Sequence, residues 1–328
     1  MSKPPTVHDV ARLSGVSTAT VSRYFGGKAD AIAPKTLERV KKAAETLGYT
    51  PSEIGRSLRL ARSRVVVMMV PDATNHFTAD VASSVENALK DVGLSMVLAN
   101  SSEDAEQQDR LLMDAQGLRA RAIVLQGAID TPRLREICAR QQNVIFVNRR
   151  PRTGIVAPYV GVDNYAAGFA VGNYFSSRGY QNCVAIHGPR RYSGSTERLD
   201  GFIAGLGNSL PVEQIEANYT MESGYELGRE LLASSSVKRS IFCGNDMIAY
   251  GVHRAALELK LGIPNDVILM GFDDNRLNEW LAPWLSTVSV PATDFGPAIA
   301  RLIAHPDHLT SSNHNILVPF TLKIRGSA

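Results

Sequence analysis

The sequence predicts a small all-α head followed by a larger α/β body. Three observations carry this reading. Charge divides unevenly along the chain: residues 1–64 hold twelve Lys/Arg against five Asp/Glu, a net +7, and the remainder hold 23 against 27, a net −4, within an overall +3. Helix start and stop signals crowd the first fifty residues. From Val65 onward, short Val/Ile-rich runs alternate with amphipathic stretches. At 328 residues and 44% hydrophobic, the chain has length for two to three domains and enough apolar surface to bury their cores. A cationic head on an acidic body points to a polyanionic partner for the head alone.

Cys138, Cys183 and Cys243 lie far apart with no CxxC pairing, which argues against a disulfide scaffold and a cysteine zinc finger and fits a reducing compartment. The first residues, MSKPPTVHDVARLS, contain no apolar signal-peptide core, and no run reaches membrane-spanning length. The expectation is a cytoplasmic protein with no membrane partner.

In the head, Thr6 and Asp9 have capping-box spacing, so a helix starts there and runs to about Ser14, where Gly15 permits a sharp turn. Ser17 caps a second helix over Thr18–Phe25. Ala11, Gly15 and Val21 have the spacing of a helix-turn-helix, although two ordinary helices around a glycine would look alike. Pro34 opens a third helix whose Leu37, Val40, Ala44 and Leu47 share one face, and Gly48 stops it. Lys35, Arg39, Lys41 and Lys42 occupy its other face, where a solvated surface is the plainer reading. Such a bundle can press its second helix into a major groove. Arg23 would then read guanine bidentately, the Thr18 and Ala19 methyls would meet thymine, and Ser17, Thr20 and Ser22 would hold phosphate.

Residues 50–64 read differently. Thr50, Pro51 and Glu53 start a helix of only about nine residues containing Gly55, marginal by itself. Leu58 lies between Arg56 and Arg59 with no evident core to enter. It is either a leucine resting on the body or, in a hinge helix ordered by DNA, a wedge for a minor-groove step. The DNA-facing set is thus Thr6, Ser17, Thr18, Ala19, Thr20, Ser22, Arg23, Leu58 and Arg59.

In the body, VVVMMV, SMVLA, AIVLQ, VIFVN, YVGV, CVAIHG, SIFCGN, VILMGFD, STVSV and ILVPFTLKI are the strand candidates. Continuous apolar strands between helices indicate parallel sheets covered on both faces, and their number indicates two subdomains. Ligands in such sheets sit beyond the carboxyl ends of strands.

The strings TVHDVARLSGVSTATVSRYF, KTLERVKKAAETLGY and TPSEIGRSLRLARS resemble the head and hinge of the LacI/GalR (lac repressor) family. Ala33, where that family usually has Ser, and a longer 26–32 loop depart from its pattern. The resemblance implies a helix-turn-helix domain at 1–49, a hinge helix and linker at 50–64, and an effector-binding and dimerisation domain at 65–328. It also implies that this domain is two-lobed, like periplasmic sugar-binding proteins. Lobe 1 would span about 65–161 and 292–320 and lobe 2 about 162–290, with crossings near 161–163 and 289–291. Matching the family's effector segments, Arg198, Tyr219, Asn245 and Asp273 become ligand residues, joined by Phe77, Asn148 and Arg149 from strand ends. Alternatives stand beside these roles: Asn245 and Asp273 could cap helices, Arg198 could pair with Glu197 or Asp200, and Tyr219 could be core. Polar clamps with aromatics favour a sugar, and Arg149 leaves a sugar acid open.

No GxSxG, HExxH or GxxxxGK[ST] occurs, and the spacing of His305, His308 and His314 argues little for a metal, so neither catalysis nor a cofactor is expected. The resemblance implies a ligand-responsive transcriptional regulator, a repressor, acting as a homodimer on a pseudo-palindromic operator in double-stranded DNA. No leucine heptads precede the terminal Arg325-Gly-Ser-Ala, which argues against a C-terminal coiled-coil tetramer. A solute receptor or an α/β enzyme on the same body are the rival readings.

Overall fold

The computed structural model describes residues 5–26, 30, 32–50, 63–140, 143–151, 154–207, 211–234, 237–305 and 315–328. The chain divides into two units, Met1–Ser63 and Arg64–Ala328. The expected hinge, with Leu58 and Arg59, falls almost wholly outside the described residues, as do His308 and His314.

The first unit contains α1 (Val7–Ser14), α2 (Thr18–Phe25) and α3 (Pro34–Leu47). The amide of Thr6 donates to Asp9 Oδ2 at 2.9 Å, forming the carboxylate half of the capping box. The Thr6 hydroxyl also donates to the same oxygen at 2.7 Å. Gly15 ends α1 at φ 62°, a backbone that glycine adopts cheaply. The core is Val10, Ala11, Val21, Val40, Ala43 and Ala44, with Leu47 and Tyr49 packed at its edge. Arg39 is not merely a solvated cation: its guanidinium donates to the carbonyls of Ser14 at 2.5 Å and Gly15 at 3.2 Å, clamping the turn.

The second unit is built on two six-stranded sheets. Its first stretch runs β1 (Val65–Val70), α4 (His76–Asp91), β2 (Ser95–Asn100), α5 (Ala105–Gly117), β3 (Ala122–Gln126), α6 (Pro132–Ala139), β4 (Val144–Val147) and β5 (Tyr159–Val162). A second stretch follows with α7 (Asn164–Ser177), β6 (Cys183–His187), α8 (Ser193–Leu206), β7 (Glu213–Glu216) and α9 (Met221–Ala233). It continues through β8 (Arg239–Cys243), α10 (Asp246–Glu258), β9 (Val267–Asp273), the one-turn α11 (Asn278–Leu281) and β10 (Ser286–Ser289). Then come α12 (Phe295–Ala304), β11 (Asn315–Val318) and β12 (Thr321–Lys323).

The first sheet has the order β11-β5-β4-β3-β1-β2 and the second β12-β10-β9-β8-β6-β7. All pairings are parallel except β12, which runs antiparallel to β10. The chain therefore passes between sheets after β5, after β10 and again between β11 and β12. The run ILVPFTLKI, expected as one strand, is split: Pro319 and Phe320 separate β11 in the first sheet from β12 in the second. Strand β7, the charged EQIE, carried no apolar signal because it is the outer strand of its sheet and three of its four side chains are exposed.

Alternation along β1 shows how each sheet is covered. Val66, Met68 and Val70 join a core with Val81, Val85 and Leu89 of α4 and Ile299 of α12, while Val67 and Met69 join Leu112 of α5 and Leu134 of α6. In the second sheet, α7 and α8 cover one face and α9 and α10 the other. Glycines set the α7/α8 contact. A Cβ on Gly168 would strike the Arg198 carbonyl oxygen, on Gly172 that of Phe202, on Gly201 that of Tyr165 and on Gly205 that of Phe169. Only glycine permits this backbone approach, and it fixes the helix that carries Arg198.

Candidate functional site

The carboxyl ends of both sheets face a cavity of about 530 Å³ in the second unit. Phe77, Asn148, Arg149, Arg198, Tyr219, Asn245 and Asp273 all line it, although they span nearly two hundred residues of sequence. Because strand ends in a parallel sheet share one edge, the topology gathers them there.

Their states differ from simple expectation. Phe77 is only 9% exposed and meets Phe295 edge-to-face at 6.1 Å, so it is a fixed wall more than a free stacking platform. Asn148 ends β4 at φ 62°, a left-handed conformation that asparagine tolerates. Arg198 is paired with neither Glu197 nor Asp200. Its guanidinium donates to Asn164 Oδ1 at 2.8 Å and to the Gly244 carbonyl, and lies 3.3 Å from the Phe272 ring centroid. Tyr219 is both core and wall: it packs on the second-lobe core and its ring lies where a Cβ on Gly188 would stand. Asn245 caps α10, Oδ1 accepting from the Ile248 amide at 2.9 Å, which leaves its Nδ2 as the donor available to a ligand.

Two adjacent carboxylates have opposite environments. Asp274 accepts from Lys323 at 2.6 Å, Arg325 at 2.8 Å and Ser289 at 2.9 Å. Burial pushes it up, but these donors bring it below the usual carboxylate range. The carboxyl of Asp273 makes no hydrogen bond among the described residues, although its backbone carbonyl accepts from the Val290 amide at 3.2 Å. Burial raises it well above that range, Arg198 opposing and Asp246 reinforcing the rise. Its carboxyl is thus the acceptor that the fold leaves for a ligand. Behind it, Asp246 is fully buried and accepts from Thr287 at 2.7 Å and from the Asn275 amide and Asn278 Nδ2 at 2.7 and 2.8 Å. Burial nevertheless pushes Asp246 up to about 6.

Sequence reasoning missed Glu103, Gln126, Asn164 and Tyr192, which also line the cavity. Gln126 was legible as the polar end of the strand AIVLQ; it is 5% exposed and its Oε1 has no hydrogen-bond partner among the described residues. The positive charge expected of Arg149 is already answered. Its Nη2 donates to Glu103 Oε1 at 2.6 Å, its Nη1 to the Gly127 carbonyl at 2.8 Å, and its guanidinium lies 3.2 Å from the Tyr192 ring centroid.

In the head, α2 buries only Val21. Ala19 and Arg23, four residues apart on one face, are exposed, and Thr18, Thr20 and Ser22 are partly exposed beside them. Ser17 Oγ accepts from the Thr20 amide at 3.2 Å, and the Ser17 and Thr20 hydroxyls lie 3.0 Å apart, so both serve the helix start. Thr6 is held by Asp9. Among the described residues no group of three His, Cys, Asp or Glu could hold a metal, and no helix is long and apolar enough to cross a membrane.

Comparison with known proteins matches both units. Residues 6–52 fit the family model of bacterial regulatory proteins, lacI family, and residues 173–328 that of a periplasmic binding protein-like domain. Catabolite control protein A of Priestia megaterium is 28% identical over 98% of both chains. The ribose operon repressor of Escherichia coli K12 is 28% identical over 98% of this chain and 99% of its own. Among solved structures, the lac repressor dimer bound to operator and an anti-inducer shares the fold, with TM-score 0.85 at 21% identity over 99% of both chains. A CelR–cellobiose complex aligns at TM-score 0.73 and 25% identity over 99% of this chain and 100% of that one. Its head and its body are matched in this order, so the chain carries a lacI-family head and a periplasmic binding protein-like domain, and it is similar nearly end to end to regulators that share this pairing.

Proposed function

We propose that the chain is a sequence-specific DNA-binding transcriptional regulator, a repressor, whose operator affinity is set by a small-molecule effector held between the two lobes of its body. The observation that carries the reading is the convergence of seven strand-end and helix-start residues on one cavity in a chain whose +7 head turns Ala19 and Arg23 outward. The effector is a sugar or sugar derivative: Asp273 and Asn245 offer an acceptor and a donor beside Arg198, among the aromatic walls of Tyr219 and Phe272. Relatives named for sugar control, and one solved with cellobiose, support that class.

Ser17, Thr18, Thr20 and Ser22 position the head on phosphates, with Thr6 at the start of α1, while Arg23 and Ala19 read bases. Leu58 and Arg59 act at the minor groove from a hinge helix. The protein works as a homodimer on a pseudo-palindromic operator in the cytoplasm, binding its ligand without turning it over. The effector biases the two lobes toward one arrangement, and that arrangement either supports or releases the paired hinges.

The test begins with DNA selected from a random pool by the full-length chain, followed by a mobility shift with and without each member of a sugar panel. The reading expects a pseudo-palindromic sequence bound by two copies, with affinity changed between about 5- and 150-fold by one sugar. Failure to select DNA, together with chemical conversion of a sugar, would replace the regulator by an enzyme.

A further inference from the structure

Glu103 sits at a cost to the backbone. It and Ser102 both follow β2 at φ 54°, a left-handed pair without glycine, which persists only where the surroundings hold it. What holds it is a set of donors from both lobes. Its Oε1 accepts from Arg149 at 2.6 Å, in the first lobe. From the second lobe, its Oε2 accepts from the Tyr192 hydroxyl at 2.7 Å and lies 3.5 Å from an Arg191 guanidinium nitrogen. Arg191 in turn donates to the Tyr192 hydroxyl at 2.8 Å, and both guanidiniums lie near the Tyr192 ring, with centroid distances of 3.2 Å for Arg149 and 4.6 Å for Arg191. Two cations and a hydroxyl converging on one carboxylate are the donors a bound anion receives. Here the anion is part of the chain.

We propose that Arg149, Arg191 and the Tyr192 hydroxyl form an anion subsite bridging the two lobes, that Glu103 is its built-in occupant, and that Glu103 is thereby the residue restricting the cavity to ligands without a carboxylate or phosphate. This rests on the cavity being the effector site. The remaining charges agree: among the described residues, the carboxylates of Asp72 and Glu103 line the cavity with the cations Arg149 and Arg198, and Arg198 is engaged with Asn164, the Gly244 carbonyl and the Phe272 ring. An incoming anion would meet no unanswered cation and would stand beside a like charge in a partly dry site. Burial by itself would push Glu103 up, yet Arg149, the hydrogen bond from Tyr192 and Arg191 bring it below the ordinary glutamate range, so it stays ionised at neutral pH. The same contacts join the lobes, so the carboxylate that refuses anions also latches the cleft.

Anion rescue tests this without knowledge of the natural effector. Full-length Glu103→Ala is unfolded thermally in acetate and in inorganic phosphate, with chloride at equal ionic strength as control. The expected result is a lower Tm for the variant and a saturable rise in millimolar acetate or phosphate. The midpoint of that rise should lie at least about tenfold below any response of the wild type. Glu103→Asp, which keeps a carboxylate, should show no rescue, and Arg149→Ala added to Glu103→Ala should abolish it. If Glu103→Ala does not fold, Glu103→Ser takes its place with the same expectation. Equal anion responses in wild type and variant, or none in the variant, would overturn the proposal. Rescue without any sugar response in the wild type would keep the subsite and remove the effector reading, whereas a sugar response without rescue would do the reverse.

Discussion

The two units solve opposite problems with the same chemistry. The head spends a small core of six buried residues to hold one helix outward, so its functional groups are those that the fold leaves uncovered. The body buries large cores on both faces of two sheets, and its functional groups are partly spent on the protein itself. The Arg23 guanidinium is exposed on α2, whereas those of Arg198 and Arg149 each hold a carbonyl oxygen and lie against an aromatic ring. A surface that reads a polymer can leave its donors solvated; a cavity that binds a small ligand must fix them before the ligand arrives. The contrast predicts that head variants change DNA recognition at nearly constant stability, and that body variants change stability and ligand response together.

The largest effect should come from the glycine contact. Gly201→Val, driving a side chain into the Tyr165 carbonyl, should cost about 3 kcal/mol in chemical denaturation of the body and weaken ligand binding, because α8 carries Arg198. The contrast breaks if that variant is as stable as wild type. At the cavity, Arg198→Ala should lower affinity for the responding sugar by about tenfold or more in calorimetry, and should cost stability through the hydrogen bonds it loses.

Asp246 sharpens the comparison through pH. Its folded value of about 6 lies above the ordinary 3.8, so its contribution to stability is full below about pH 4 and is lost as pH rises through 6. On the order of 3 kcal/mol is at stake for such a displacement. Asp246→Asn, which cannot titrate, should therefore gain relative to wild type between pH 4 and 6, the difference levelling above that; a difference independent of pH would refute the burial argument. In the head, Arg23→Ala should cost about 1–3 kcal/mol of discrimination at one base pair, read by competition among operator variants. The smallest effect is at the first cap: Asp9→Ala should lower the melting temperature of the head only slightly, since the bond to the Thr6 amide is only partly buried.

Much of this was legible in the sequence, for physical reasons that differ between the units. Capping residues, turn glycines and one buried stripe are local signals, so α1, α2 and α3 could be read directly from Thr6, Gly15, Ser17, Pro34 and Gly48. The apolar runs gave nearly every strand, because strands buried on both faces need no polar alternation. Strand β7 was lost because an outer strand can be charged, and the split of ILVPFTLKI because pairing partners lie far away in sequence. The cavity residues at strand ends were accessible through the resemblance and the rule for parallel sheets. Glu103 was not. It lies in a loop, and its role exists only because residues 149, 191 and 192 converge on it across the cleft. Nor did the sequence reveal that the charge of Arg149 is already matched.

The most direct measurement is operator affinity by mobility shift, at fixed salt, for full-length wild type and Arg198→Ala side by side, with and without the sugar that stabilises the wild type. The account predicts a wild-type affinity that changes between about 5- and 150-fold on saturation with sugar, and a variant affinity that does not change at the same concentration. An equal response in both proteins, or a wild type that binds the sugar with no change in its hold on DNA, would contradict it.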